Sequence, residues 1–223
     1  EKNDLISAPV TDNQNNLLGR ITFDDVIDEI KSEADESLRQ ISGIDSDTFE
    51  KTSTAIRTRG FWLGTNLLTA LIAASVINIF KETLEQVIFL AVLMPIIASM
   101  GGVAATQTLT ITVRGLALGQ IVRANYLYIF NRELMVGVSN GFIWAVILSL
   151  IACSWFQDWL LAWVICLSMI INLVAGVLSG MGIPILLKGL KMDPAVAGSV
   201  IVTTVTDVIG FFSFLGLATY FYS

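Results

Sequence analysis

The chain has 223 residues, 54% of them hydrophobic and only 14% charged, with a mean hydropathy of +0.73, a composition too apolar for a soluble domain of this size and typical of a membrane protein. The net charge of −6 belongs to residues 1–60, which hold 7 basic and 13 acidic residues, while residues 61–223 hold 6 of each. Without a basic patch to neutralise phosphates, nucleic acid is excluded as a partner, and the absence of histidine excludes His-based zinc sites and Ser-His-Asp or Cys-His nucleophiles.

Residues 1–60 read as a soluble piece. Glu1 opens the chain with no signal-peptide pattern, so the sequence reads as a fragment of something longer. Asn13-Gln14-Asn15-Asn16 forms a turn, and Leu17–Ile21 follows as a short strand. Thr22 with Asp25 has the spacing of an N-cap pair opening an acidic helix from about Phe23 to Ile41. A second short helix covers Asp47 to Arg59. One strand and a helix bury no core of any size, so a preceding domain or another surface must cover them.

Five apolar runs come next: Phe61–Phe80, Val87–Val113, Leu134–Trp155, Trp159–Leu187 and Ala195–Tyr222. The first has about the 20 residues that a bilayer core requires, and the others are longer. The second is expected to be interrupted near Pro95 and Gly101-Gly102, and the fourth to tilt or bend near Gly180, Gly182 and Pro184. Cys153 and Cys166 sit in or beside these runs, far from any CxxC spacing, and are expected to pack. An odd number of spans puts the termini on opposite sides. The N-terminal side carries the 7 basic residues before the first span together with Arg114, Arg123, Arg132, Lys188 and Lys191, and the opposite side only Lys81. By the positive-inside rule the N-terminus is cytoplasmic and Ser223 faces out.

Asp207 is the only carboxylate well inside any of these runs. An ionised group at the bilayer centre costs about 3 kcal/mol or more, so it is expected to face a polar path or a partner. Ser199, Thr203, Asp207 and Gly210 recur at i, i+4, i+8 and i+11, one stripe of a helix, with Thr204 and Thr206 nearby. Oxygen ligands without sulfur, imidazole or a basic partner suit a hard cation, Mg²⁺ or Ca²⁺, and a sparse set suits an ion that keeps its waters, as Mg²⁺ does.

In the second run, a helix broken at Pro95–Gly102 would free carbonyls of the kind that line ion sites in transport proteins, or would simply be a packing kink. Thr106, Gln107 and Thr110 add oxygens at helical spacing; back-bonding to their own helix is their ordinary alternative. Gly176 and Gly180, and Gly115 and Gly119, form GxxxG pairs that allow close helix approach, including across a dimer. Asn172 stands equally well as a path-lining residue or as a bond between helices. Arg114, at the cytoplasmic end of the second span, snorkels. An intramembrane aspartyl protease would need two carboxylates sharing a site, and each chain offers one, so the chain is not read as an enzyme.

The stretches PIIASMGGVAATQTLTITVRGLALG, Pro95–Gly119, and DPAVAGSVIVTTVTDVIG, Asp193–Gly210, resemble the MgtE magnesium channels, related to solute carrier family 41. Residues 15–41 look like the end of a CBS domain running into its linker. The resemblance implies an all-α membrane protein with five transmembrane helices per subunit, a homodimer, and a cation pore at the dimer axis. It divides the chain into a CBS remnant over 1–44, a plug helix over 45–60 and a pore domain over 61–223. Carried over by motif position, the pore site would use Asp207, Thr203 and Ser199 with the Gly102 carbonyl, Thr106 and Thr110 nearby, holding Mg²⁺ largely through its waters. Where the family pattern often reads GGNxGxQ, this chain has Gly101-Gly102-Val103-Ala104-Ala105-Thr106-Gln107, and Ser199 and Thr106 stand where Asn occurs. Fewer amide ligands imply looser discrimination between Mg²⁺ and the weaker substrates Mn²⁺ and Co²⁺. The expected function is channel-like Mg²⁺ transport across the cytoplasmic membrane. A divalent-cation exchanger using Asp207 to couple to Na⁺ or H⁺ is the alternative.

Overall fold

The structure is a computed structural model that describes residues 6–29, 32, 51–190 and 198–222. It begins with an antiparallel hairpin of β1 (Ser7–Thr11) and β2 (Leu17–Thr22), pairing Ser7 with Thr22 and Val10 with Gly19, with an irregularity between Val10 and Thr11. The connecting turn is held by Asp12, whose Oδ1 accepts from the amides of Gln14 and Asn16, both at 2.8 Å. The turn and β2 fall where the Asn-rich segment and Leu17–Ile21 place them. β1 is a strand that the sequence reading lacks. At the end of β2 the Thr22/Asp25 pair forms as expected. Asp25 Oδ2 accepts from both the amide and the hydroxyl of Thr22 at 2.7 Å, and residues 23–29 continue as helix. The rest of the expected helix to Ile41 lies outside the described residues. Leu17, Leu18 and Phe23 are exposed, so the hairpin has no core of its own.

Six helices follow: α1 (Thr52–Ile79), α2 (Lys81–Gln86), α3 (Phe89–Ala117), α4 (Tyr126–Phe156), α5 (Trp159–Gly189) and α6 (Gly198–Tyr222). Five of them, all but α2, are long and apolar enough to cross a membrane. This is the five-span, all-α architecture expected of the sequence. Within it, α1 runs unbroken from Thr52, so the described part of the expected 45–60 segment is continuous with the first span. Residues 45–50 lie outside the described residues.

The helix α5 is the centre of the bundle because it is the most hydropathic span and carries small residues where its neighbours press closest. A Cβ added to Gly176 would stand 2.8 Å from the Gly101 carbonyl oxygen, and one on Gly180 2.5 Å from that of Ala105. This GxxxG pair is therefore used inside the subunit, to seat α5 on the backbone of α3. The other pair is not a packing face at all. Gly115 meets Ile121, and Gly119 adopts φ +66° just past the end of α3, the left-handed conformation that terminates a helix.

Around α5, α3 and α6 pack against it and against each other, while α4 packs on α5 and only marginally on α3. Leu93, Ile97, Leu161, Ile165, Met169 and Phe214 form the fully buried centre of this arrangement. A two-residue link joins α4 to α5. Gln157 turns the chain at φ 53°, and Asp158 caps α5 by accepting from the amides of Leu160 and Leu161 at 2.8 and 3.2 Å. The other oxygen of Asp158 accepts from the Tyr222 hydroxyl, which pins the C-terminal end of α6 to that link. Along α1 only Ala73 is buried, and its packing is chiefly against α6.

The expected interruption of the second span does not occur. The helix α3 is continuous through Pro95 and Gly101-Gly102. Proline removes a single N–H, the one that would reach the Ala91 carbonyl, and both residues lie on the exposed side of the helix where no packing depends on them. Two adjacent glycines weaken a helix but delete none of its bonds. The helix α5 likewise runs through Pro184 without ending.

Candidate functional site

Between α3 and α6 lies a groove of about 670 Å³. Its α3 wall presents Gly102, Thr106, Gln107 and Thr110, and its α6 wall Thr203 and Asp207. The pattern on α3 follows from helical geometry: positions 102, 106 and 110 are successive i, i+4 steps and form one near-axial stripe. Each hydroxyl of the stripe donates backwards, Thr106 Oγ1 to the Gly102 carbonyl and Thr110 Oγ1 to the Thr106 carbonyl, both at 2.8 Å. The back-bonding alternative for these threonines is thus realised. It leaves the hydroxyl lone pairs turned outward as acceptors, while the Gly102 carbonyl already receives a bond from Thr106.

On α6 the same device repeats, Thr203 Oγ1 donating to the Ser199 carbonyl and Thr204 Oγ1 to that of Val200. Of the four positions expected to share a face, Thr203 and Asp207 line the groove, whereas Ser199 does not, and Gly210 faces away from it, against α5. At about 100° per residue, positions 199 and 210 lie some 20° apart and Asp207 about 80° round from Ser199, so the stripe is too wide to face one way. Thr206 is fully buried, donates to the Thr203 carbonyl at 2.9 Å and stays out of the groove.

Behind the groove stands Asn172 of α5, with no exposed surface. Its Nδ2 donates to the Ile97 carbonyl at 2.8 Å, so Asn172 bonds across helices and does not line the groove. Hypothetical Cβ atoms on Gly101 and Gly210 would lie 2.2 and 2.7 Å from that nitrogen. These two glycines clear the space in which Asn172 wedges between α3 and α6. Its Oδ1, also buried, has no hydrogen-bond partner. The wedge sets how far apart the two groove walls stand.

Asp207 is, among the described residues, the one charged group that lines the groove. Among the described residues no three His, Cys, Asp or Glu side chains gather as a metal cage. One carboxylate, several hydroxyls and an amide are too few to strip a divalent ion, but they suit one that retains its water shell. The sequence reading missed a second buried carboxylate on a long apolar helix, Glu133. Taking Leu134 as the start of the third span made Glu133 a loop residue. The apolar run Tyr126–Phe130 was the signal that α4 begins earlier, and it places Glu133 two turns inside the helix and buried. Arg114 is exposed in the last turn of α3, as snorkelling requires.

A family model, MgtE, described as a divalent cation transporter, matches residues 94–217, which contain both walls of the groove. The chain belongs to the MgtE family. Over 223 residues, 99% of the chain, it is 34% identical to the protein named magnesium transporter MgtE of Bacillus subtilis, of which it covers 49%. It is 30% identical over 98% of its length to the protein of the same name from Enterococcus faecalis, covering 48% of that protein. For the Thermus thermophilus protein the figures are 29%, 96% and 48%. The chain therefore spans about half the length of these MgtE relatives. The family's matched segment coincides with the part of the chain in which α3, α5 and α6 interlock.

Proposed function

We propose that this chain carries Mg²⁺ across the cytoplasmic membrane through a channel-like path formed where the α3–α6 grooves of two copies face each other. The observation that carries this reading is the groove itself: a carboxylate and a row of hydroxyls on two facing helices, at membrane depth, open along one side. Its volume of about 670 Å³ is room for roughly 20 water molecules at about 30 Å³ each, enough for an ion with its shell. A one-sided groove makes a closed path when a two-fold axis sets a second copy opposite it, the commonest symmetry among soluble oligomers. In that arrangement two Asp207 carboxylates attract the divalent ion, and Thr203, Thr106 and Thr110 hold its waters. Ser199, outside the groove in the single chain, would contribute only through its carbonyl or on rearrangement of α6. The names borne by the relatives support Mg²⁺ as the cargo; Mn²⁺ and Co²⁺ would be weaker substrates.

The excess of basic residues on one side of the spans supports a cytoplasmic N-terminus. Residues 1–44 then belong to a cytoplasmic CBS remnant and 45–60 to a plug segment at the mouth of the path. The membrane potential supplies about 2.3 kcal/mol per charge per 100 mV, doubled for a divalent ion. The test is Mg²⁺ flux into proteoliposomes under an imposed potential with no other gradient. The expected result is flux that Asp207→Asn lowers by about tenfold or more while dimers still form, a barrier change of at least about 1.4 kcal/mol. Undiminished flux through a folded Asp207→Asn protein would sink the assignment. Flux that starts only when a Na⁺ or H⁺ gradient is added would instead make Asp207 the coupling carboxylate of an exchanger.

A further inference from the structure

The helices α3 and α4 both pack on α5 but scarcely on each other, and the gap between them is a second cavity of about 330 Å³. Its floor is formed by Glu133 and by Thr108, Leu173 and Val177, all nearly fully buried, and its rim by Gln107 and Asn140. Gln107 lines both this cavity and the α3–α6 groove, so the two spaces are neighbours across the face of α3. Glu133 itself is only 4% exposed. Among the described residues the one charged partner its carboxylate has is Arg132, at 3.8 Å from Nη1 and with its side chain 63% exposed. That distance is beyond hydrogen-bonding range, and an exposed arginine at the rim compensates a buried charge poorly. A buried carboxylate on a long apolar helix, facing a cavity that also presents two side-chain amides and a hydroxyl, calls for a ligand.

We propose that Glu133 anchors a second cation site, off the path of transport, which takes a partly hydrated divalent cation in the gap between α3, α4 and α5. The donor set is oxygen throughout: a carboxylate, the side-chain amides of Gln107 and Asn140, and the Thr108 hydroxyl. Among the described residues no lysine, arginine or imidazole lines the cavity, and its one sulfur is the uncharged thioether of Met100. That chemistry selects a hard cation over a soft one. Room for roughly ten waters means the ion enters without losing its shell, as the reluctant dehydration of Mg²⁺ demands. The inference is independent of Asp207, which lines only the groove. An ion held here places positive charge on the far side of Gln107 from the transported ion, and so opposes occupancy of the groove when divalent cation is plentiful.

The test is the binding of Mn²⁺, a hard octahedral probe followed by the loss of its free-ion electron paramagnetic resonance signal, to the whole chain in nanodiscs. Binding is compared in Asp207→Asn and in the double variant Asp207→Asn/Glu133→Gln. The expected result is that Asp207→Asn still binds Mn²⁺ in competition with Mg²⁺. The double variant should bind about one ion fewer per chain, or the same ion at least about tenfold more weakly. Superimposable curves for the two variants would overturn the proposal, as would a cavity occupied by lipid or by a second copy, since either leaves the curves equal. Should Glu133→Gln fail to fold, Asn140→Leu at the rim serves in its place, with a severalfold weakening expected and an unchanged curve contradictory. The failure of Asp207→Asn to lower binding relative to the unsubstituted chain would count against the groove and leave the Glu133 comparison standing.

Discussion

The two faces of α3 use the same residue types to opposite ends. Gly101 and Thr112 lie on the buried face: Gly101 has Asn172 pressed against it and Thr112 has no exposed surface. Gly102 and Thr106, adjacent to that face in sequence, look into the groove, where an added Cβ on Gly102 would meet nothing nearer than Thr203 Cγ2 at 3.7 Å. Both threonine sets back-bond to their helix in the same way, at 2.7 Å for Thr112 and 2.8 Å for Thr106. A shift of one residue, about 100° around the axis, converts a packing glycine into a groove-lining one. Composition does not separate the two faces, but the position of α5 does.

That comparison is broken most severely at Gly180. A side chain there runs into the Ala105 carbonyl, an atom of backbone that does not yield, so Gly180→Val should cost about 3 kcal/mol or more and abolish recovery of folded protein in detergent. Gly101→Ala meets the movable end of Asn172 and should cost about 1–3 kcal/mol in thermal unfolding. The same substitution made in an Asn172→Ala background should cost markedly less, a coupling that a double-mutant cycle reads directly. If the two costs add, Asn172 is not the wedge.

Away from the groove, Asp158→Ala removes a helix cap and should cost about 1 kcal/mol. Burial raises the Asp158 carboxyl, but the Tyr222 hydroxyl and the amides of Leu161 and Leu160 outweigh it and hold the group below the usual carboxylate range. A depressed folded-state value means that the contribution is complete above the ordinary value near 3.8 and is lost as pH falls through the lowered one. The difference between Asp158→Ala and the unsubstituted chain should therefore stay constant from neutral pH down to about 5 and shrink only in stronger acid. The smallest stability effect belongs to Gly102→Ala, within about 0.5 kcal/mol, yet its methyl group projects into the groove and should slow Mg²⁺ flux. A stable Gly102→Ala protein with unaltered flux would mean that the two faces of α3 do not differ in function.

Much of this was legible in the sequence because apolar runs, loop charge and a lone carboxylate are local signals. Five spans, the strand at Leu17 and the Thr22/Asp25 cap follow from them, whereas the grouping of Thr106 and Thr110 with Thr203 and Asp207 comes from the resemblance to the MgtE family. What failed depended on neighbours. Pro95 was expected to break a helix, but its exposed side let the helix continue at the loss of one bond. Gly115 and Gly119 had the spacing of a packing motif, but Gly119 is a helix stop. Ser199 had the right period on α6, but the groove is narrower than the stripe. Glu133 and Asn172 acquire their surroundings only from helices that are remote in sequence. The unpaired Oδ1 of Asn172 has no signal in the chain at all.

The most direct test of the central claim, that the groove face of α3 and not its packed face meets the transported ion, is paired cysteine accessibility. With Cys153 and Cys166 replaced by alanine, Thr106→Cys and Thr112→Cys proteins are reacted in liposomes with a small cationic thiol reagent, with and without Mg²⁺. The account predicts that Thr106→Cys is modified, is protected by Mg²⁺ and loses flux on modification, whereas Thr112→Cys is inert. Equal reactivity at the two positions, or modification at Thr106→Cys that leaves flux intact, would contradict it.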